Sequence, residues 1–324
     1  MKRKLYRLKR SILRFINLAH HTPRGWWIVW AGFLNRKGRT LHRAYQSDLI
    51  DREWEVVGDL VQHGIAVTQI EPSLLKELQA IKLEVKTRDN SSYLKGAFGR
   101  HYTLTDSPLF TFTYSRKILD IVREYMEIAP DLWFSSYDVT IPSSGERVLN
   151  QRWHRDPPDR RLVRMFLYLS DVDEESGPFQ YVRDSHRGGK NFKTFPSRPP
   201  RGCYPPTGMV EATMGDDIQT VPGKAGTLIF CDTNGLHRGG YATKKERIMF
   251  TTAYASRSFL KRVGGKPYTV GIDTKKLHPL AQYALEVIKK NPEKVFIDIQ
   301  MNMIKDNLRL TAMPPIYNTI KEKE

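Results

Sequence analysis

The sequence predicts an all-β core with flanking helices. Between Leu132 and Tyr254, five short runs rich in aromatic and β-branched residues are separated by Gly, Pro and Ser turns. Before and after them, apolar residues recur at helical spacing instead. At 324 residues, with 40% hydrophobic and 11% aromatic content, the chain is long enough to bury a real core as one large domain with extensions or as two smaller ones. Strand sets of this kind close into a sandwich or barrel.

The first 47 residues stand apart by charge. They hold twelve of the 52 Lys and Arg residues and none of the 35 acids, so the strong excess of +17 belongs mostly to this segment. Arg3, Arg7, Arg10 and Arg14 fall at helical spacing, opposite Leu5, Leu8, Ile12, Phe15 and Ile16. Such a segment either packs on the protein's own body or lies on an anionic membrane surface. The apolar run from Trp26 to Leu34 is too short to span a bilayer, and no signal-peptide cleavage pattern follows it. We therefore divide the chain into a basic amphipathic extension (1–47), a body with the β-rich core and its N-terminal helices (48–270) and a C-terminal helical extension (271–324).

Within the body, Leu49, Val56, Val57, Leu60 and Val61 mark a helix over 48–63, which Gly64 ends. Ile65 to Thr68 reads as a strand, and Pro72-Ser73 opens a second helix to about Lys86. A third helix is expected over Ser115–Met126. The strands follow at Leu132–Ile141, Leu162–Leu169, Phe179–Val182, Thr227–Cys231 and Ile248–Tyr254. Arg187 to Gly208, with five prolines and four glycines, reads as a long surface loop. Helical spacing returns from His278 through Leu280, Ala284 and Ile288. The two cysteines, Cys203 and Cys231, lie 28 positions apart without a paired motif, which excludes a disulfide framework and a thiolate zinc site and fits a reducing cytoplasm.

The chemistry centres on His154-Arg155-Asp156. On a strand or its exit, residues i and i+2 project to one side, so one imidazole and one carboxylate can reach a single metal ion. A second imidazole from elsewhere completes a two-His, one-carboxylate facial triad with coordination positions left open. His237 follows a strand-like run, Gly226 to Phe230, and sits in a turn with Asn234, Gly235, Gly239 and Gly240. Arg247 begins the strand ten residues later, where a buried guanidinium needs an anion and suits a carboxylate. Ser176-Gly177-Pro178-Phe179 and Ser185-His186 supply a turn, a strand and a polar exit between the two metal segments.

Over about residues 50–257 this order and spacing resembles the phytanoyl-CoA dioxygenase-like family of Fe(II)/2-oxoglutarate-dependent oxygenases. The resemblance implies a double-stranded β-helix, a jelly-roll barrel with the metal at its mouth. It implies His154, Asp156 and His237 as iron ligands, with Arg247 pairing with the distal carboxylate of 2-oxoglutarate and Tyr137 and Phe166 lining the co-substrate pocket. O2 is the other co-substrate, and hydroxylation with release of succinate and CO2 is the implied outcome. Two positions depart from the family pattern: Arg155 stands where many relatives carry Gln, and Gly239 where many carry a small polar residue. Asp156 is retained, which argues against halogenation, since halogenating relatives lose that carboxylate.

The expected substrate is a small-molecule metabolite. Arg152 and Arg155, with Arg160, Arg161 and Arg164 nearby, either contact an anionic or acyl-CoA-like substrate or are solvated rim charges. His186 reads as structural, because the triad is complete without it. Two rival classes remain: a catalytically degenerate jelly-roll binding or regulatory protein, and a nucleic-acid binder. The near-neutral body, 40 basic against 35 acidic residues, speaks against the second, so no nucleic acid partner is expected.

Overall fold

The computed structural model describes residues 32, 35–71, 74, 94–96, 99–102, 108–147, 149–156, 162–195, 204–257 and 272–286. The expected helix at 3–16 and that at 72–86, apart from the single residue Leu74, lie outside them, as do Arg160 and Arg161.

Two antiparallel sheets form the centre. The larger has seven strands in the order β1 (Ile65–Gln69), β8 (Thr227–Asp232), β5 (Leu162–Tyr168), β10 (Arg247–Ala255), β4 (Asp131–Thr140), β3 (Gly99–Tyr102), β2 (Leu94–Gly96). The smaller orders β7 (Ile218–Val221), β6 (Phe179–Val182) and β9 (His237–Arg238). The arrangement is a double-stranded β-helix, a jelly roll. Sequence periodicity located β1, β4, β5, β6, β8 and β10 to within a residue or two. It missed β2, β3 and β7, and β9 is too short to leave a pattern.

Strict alternation sorts the side chains of the large sheet between two cores. From β5, Val163, Met165 and Leu167 face the helices, joined by Phe230 of β8, Phe250 and Tyr254 of β10, and Tyr137 of β4. The intervening residues Phe166 and Tyr168, with Ile229, Cys231 and Met249, face the small sheet and meet Phe179, Tyr181 and Val221 there. One core holds the sheet to its helices; the other closes the barrel.

The helices covering the outer face are α1 (Arg36–Ala44), α2 (Asp51–His63), α3 (Pro108–Thr113), α4 (Arg116–Met126) and α6 (Pro279–Ala284), while α5 (Met209–Met214) belongs to the opposite side. Val56, Val57 and Leu60 of α2 pack with Ile118, Leu119 and Val122 of α4. The Glu53 carboxylate accepts from the Ile50 N–H at 2.8 Å, capping the start of α2. Gly64, at φ 75°, ends it in the left-handed region. The described parts of the two flanking segments join the same core. Helix α1, inside the segment set apart by its charge, accepts the Ala129 N–H at its Gly38 carbonyl and packs Leu41 inward; α6 buries Leu280, Ala281 and Tyr283. No helix among the described residues is long and apolar enough to cross a membrane.

Candidate metal centre

The segment carrying His154 and Asp156 reaches the small sheet by backbone pairing. His154 and His237 exchange two N–H···O bonds of 3.0 Å, the Asp156 N–H donates to the Thr233 carbonyl at 2.8 Å, and the Gly239 N–H to that of Asn150 at 2.7 Å. Residues 83 positions apart are thus held in register, and their side chains converge.

One ligand atom from each of His154, Asp156 and His237 lies within 4.8 Å of the others, and all three residues are buried. Nε2 of His154 is 3.9 Å from Oδ1 of Asp156, and Nε2 of His237 is 3.8 Å from Oδ2. The other nitrogen of each ring is already committed: Nδ1 of His154 donates to the Arg152 carbonyl at 2.9 Å and Nδ1 of His237 to that of Gly235 at 3.0 Å. Each Nε2 therefore carries its lone pair toward the cluster, the tautomer a metal needs. Burial drives the same way. It lowers the pKa of His154, and burial together with the adjacent His154 takes that of His237 down to about 3, so both rings are neutral at physiological pH. Burial works to raise the Asp156 pKa, but the Arg164 guanidinium and the two imidazoles outweigh it, and the carboxyl is held below its ordinary value. Two neutral imidazoles and one carboxylate are the ready form of a ligand set.

A cleft of about 660 Å³, part of it open to solvent, lies beside the cluster and is lined by His154 and His237, by Arg164, Phe166 and Arg247, and by Asp138. Arg247 is buried. Its guanidinium donates to the Gly177 carbonyl and, at 3.2 Å, to Oγ1 of Thr140, while its Nε has no partner and no acid among the described residues pairs with it. A buried cation so placed is incomplete without an anion.

Phe166 lies on the cleft wall. Tyr137 does not. It is fully buried on the helix-facing side of β4, its ring centroid 4.9 Å from that of Phe250, and its neighbours Asp138 and Thr140 take the inward positions. A one-residue difference in strand register turns a side chain to the opposite face, which is the whole discrepancy. Asp138 accepts from Oγ1 of Thr251 at 2.7 Å and Oγ of Ser136 at 3.2 Å. The alternation that carries Phe166 inward would have indicated Arg164 as well; nothing in the sequence singled out Asp138.

Arg155 and Arg152 are absent from the cleft wall. Arg155 points away from the metal cluster, is almost wholly buried, and donates to the carbonyls of Ser185 and Asn234, each at 2.5 Å, and of Phe192 at 3.2 Å. It binds the loop after β6 to the turn before β9. The Arg152 guanidinium lies 5.8 Å from the Tyr204 ring centroid, and that ring stacks on His154 at 5.6 Å. His186 is buried beside α2 with Nε2 3.2 Å from the Val61 carbonyl, and it is not one of the clustered ligands. The start of the long loop is folded in, with Phe195 buried against Trp153, Val210 and Leu236.

The residues present fit an iron ion with 2-oxoglutarate. Two imidazoles and one carboxylate, with ligand atoms within 4.8 Å of one another, are the donor set that would hold iron(II). The charges fit too: Asp156 is paired with Arg164, and Arg247, bonded among the described residues only to the Gly177 carbonyl and the Thr140 hydroxyl, is left to take an anion.

A family model described as phytanoyl-CoA dioxygenase matches residues 75–249, more than half of the chain. The chain belongs to that family. No protein with a curated description matches it by sequence. Among solved structures it is similar to EctD from S. alaskensis with bound Fe, at 18% identity and a TM-score of 0.51, covering 77% of this chain and 91% of that one. It is similar also to the non-heme alpha ketoglutarate dependent epimerase SnoN from nogalamycin biosynthesis, at 16% identity and a TM-score of 0.50, covering 68% and 87%. These likenesses show the jelly-roll fold. Family and fold define the class as an iron- and 2-oxoglutarate-dependent oxygenase.

Proposed function

We propose that the protein is an Fe(II)/2-oxoglutarate-dependent dioxygenase that hydroxylates a small-molecule metabolite. One observation carries the reading: the two imidazoles of a buried three-ligand cluster and a buried arginine without an acid partner line a single cleft. His154, Asp156 and His237 hold the metal, each His through Nε2 because Nδ1 is tied to a carbonyl. Arg247 receives the distal carboxylate of 2-oxoglutarate, since a planar fork with a free Nε suits bidentate pairing. Bound iron with its co-substrates supplies the oxidation, in which 2-oxoglutarate becomes succinate and CO2 as a substrate C–H bond is hydroxylated. The protein's part is orientation and exclusion of water. Phe166, Phe179 and Met249 form the apolar part of the wall, and Asp138, Thr251 and Gln151 offer hydrogen bonds to a polar metabolite. No acid–base side chain is required.

Anaerobic addition of Fe(II) and then 2-oxoglutarate to the apo-protein should produce a metal-to-ligand charge-transfer band in visible light. His154→Ala should abolish it. Arg247→Ala should keep metal binding but weaken 2-oxoglutarate about 10- to 100-fold, the loss expected of charge-assisted hydrogen bonds. A folded wild-type protein without the band would sink the proposal and favour a degenerate jelly-roll binding protein.

A further inference from the structure

The inward face of the large sheet carries two arginines, and they are not equivalent. Arg164 of β5 lies opposite Ala253 of β10, six residues from Arg247 at the start of the same strand. That places the two backbone positions about 20 Å apart along the strands at 3.3 Å per residue. Arg247 has no acid partner, whereas Arg164 has Asp156: its Nη2 is 2.8 Å from Oδ2 of that carboxylate.

The need for such a partner follows from the geometry of Asp156. Its backbone is fixed by the Thr233 carbonyl, but its side chain extends from an irregular segment between β4 and β5. The two imidazoles stand 3.8 and 3.9 Å from its oxygens, beyond hydrogen-bond length, so they do not orient it. The Thr233 hydroxyl and the Arg164 guanidinium flank it. Arg164 is well suited to fix a ligand. Its backbone sits in the middle of the sheet between β8 and β10, its guanidinium lies 5.3 Å from the Phe134 ring centroid, and its side chain is only 19% exposed.

We infer that Arg164 is a positioning residue for the metal centre: by holding one oxygen of Asp156 it presents the other to the metal and fixes the carboxylate as a one-oxygen ligand. The inference rests on the reading of His154, Asp156 and His237 as a metal site. An arginine in this role has two opposing effects. Its charge withdraws electron density from the ligand, which weakens binding. Its fixed fork removes the entropy of ordering the carboxylate and blocks two-oxygen coordination. Partners of metal ligands typically contribute about 10- to 100-fold in affinity, so ordering is expected to win.

Anaerobic calorimetry with Co(II), together with its ligand-field spectrum, tests this. Arg164→Gln should raise the Co(II) Kd about 10- to 100-fold and change the ligand-field bands as the carboxylate turns, with the melting temperature kept. Arg164→Lys retains the charge without the planar fork and should recover part of the affinity. An Arg164→Gln protein that binds Co(II) within about twofold of wild type, with the same spectrum, would overturn the inference. Should that variant not fold, Arg164→Lys decides alone: a Kd raised at least about threefold supports the role, and an unchanged one removes it. Wild-type protein that binds no Co(II) would instead defeat the metal site itself, so the two failures are distinguishable.

Discussion

Asp156 and Arg155 are neighbours in sequence with opposite fates, because consecutive residues on an extended segment project to opposite sides. Asp156 turns to the His154–His237 cluster, while Arg155 is buried on three backbone carbonyls. This distinguishes two roles experimentally. A substrate-binding Arg155 would change KM and leave stability alone. The observed clamp predicts the reverse: Arg155→Met should cost about 2–4 kcal/mol by stranding buried carbonyls, read as a lower denaturant midpoint, with little change in the KM for 2-oxoglutarate measured on folded protein.

Among the elements, the turn from α2 to β1 shows how tightly the helical layer is fitted to the barrel. A Cβ on Gly64 would lie 2.4 Å from Oη of Tyr181 and 2.6 Å from Nδ1 of His186, on a backbone already at φ 75°. The Tyr181 hydroxyl in turn donates to the Asp232 carbonyl at 2.8 Å, at the end of β8 and ahead of the turn that carries His237. Gly64→Ala combines left-handed strain with overpacking and should destabilise by about 2–4 kcal/mol. A thermal melt indistinguishable from wild type would show that the turn relaxes freely.

For the whole molecule, burial of titratable groups sets the response to acid. His186 lies under α2 with its pKa lowered, mainly by burial and against the opposing pull of Asp232 and Asp184; His63 adds to the lowering. A depressed imidazole is neutral in the fold but takes up a proton in the unfolded chain from its ordinary value near 6.5 downward. Stability from this group is therefore full above about pH 6.5 and falls as the pH drops toward the folded value. The metal-free protein should melt at lower temperature at pH 5 than at pH 7, and His186→Gln should flatten that slope. An unchanged slope in the variant would place the acid sensitivity elsewhere.

Much of this was legible in the chain itself. Local rules suffice for strands β4, β5, β8 and β10 and for helices α2 and α4, because periodicity and turn residues act within a few positions. They do not suffice for naming His154, Asp156, His237 and Arg247: the i, i+2 pair and the arginine at a strand start are short-range facts, but their roles came from the order and spacing that the chain shares with a family. What needed the tertiary structure was everything set by long-range pairing. Whether Tyr137 or Asp138 faces the cleft depends on a register that β10 imposes on β4. That Arg164 holds Asp156, and that Arg155 closes a loop instead of lining the cleft, depends on which distant carbonyls and carboxylates arrive beside them. A charged side chain has the same local signature whether it will be solvated, paired or buried, and only the assembled neighbours, through desolvation and available partners, decide among the three.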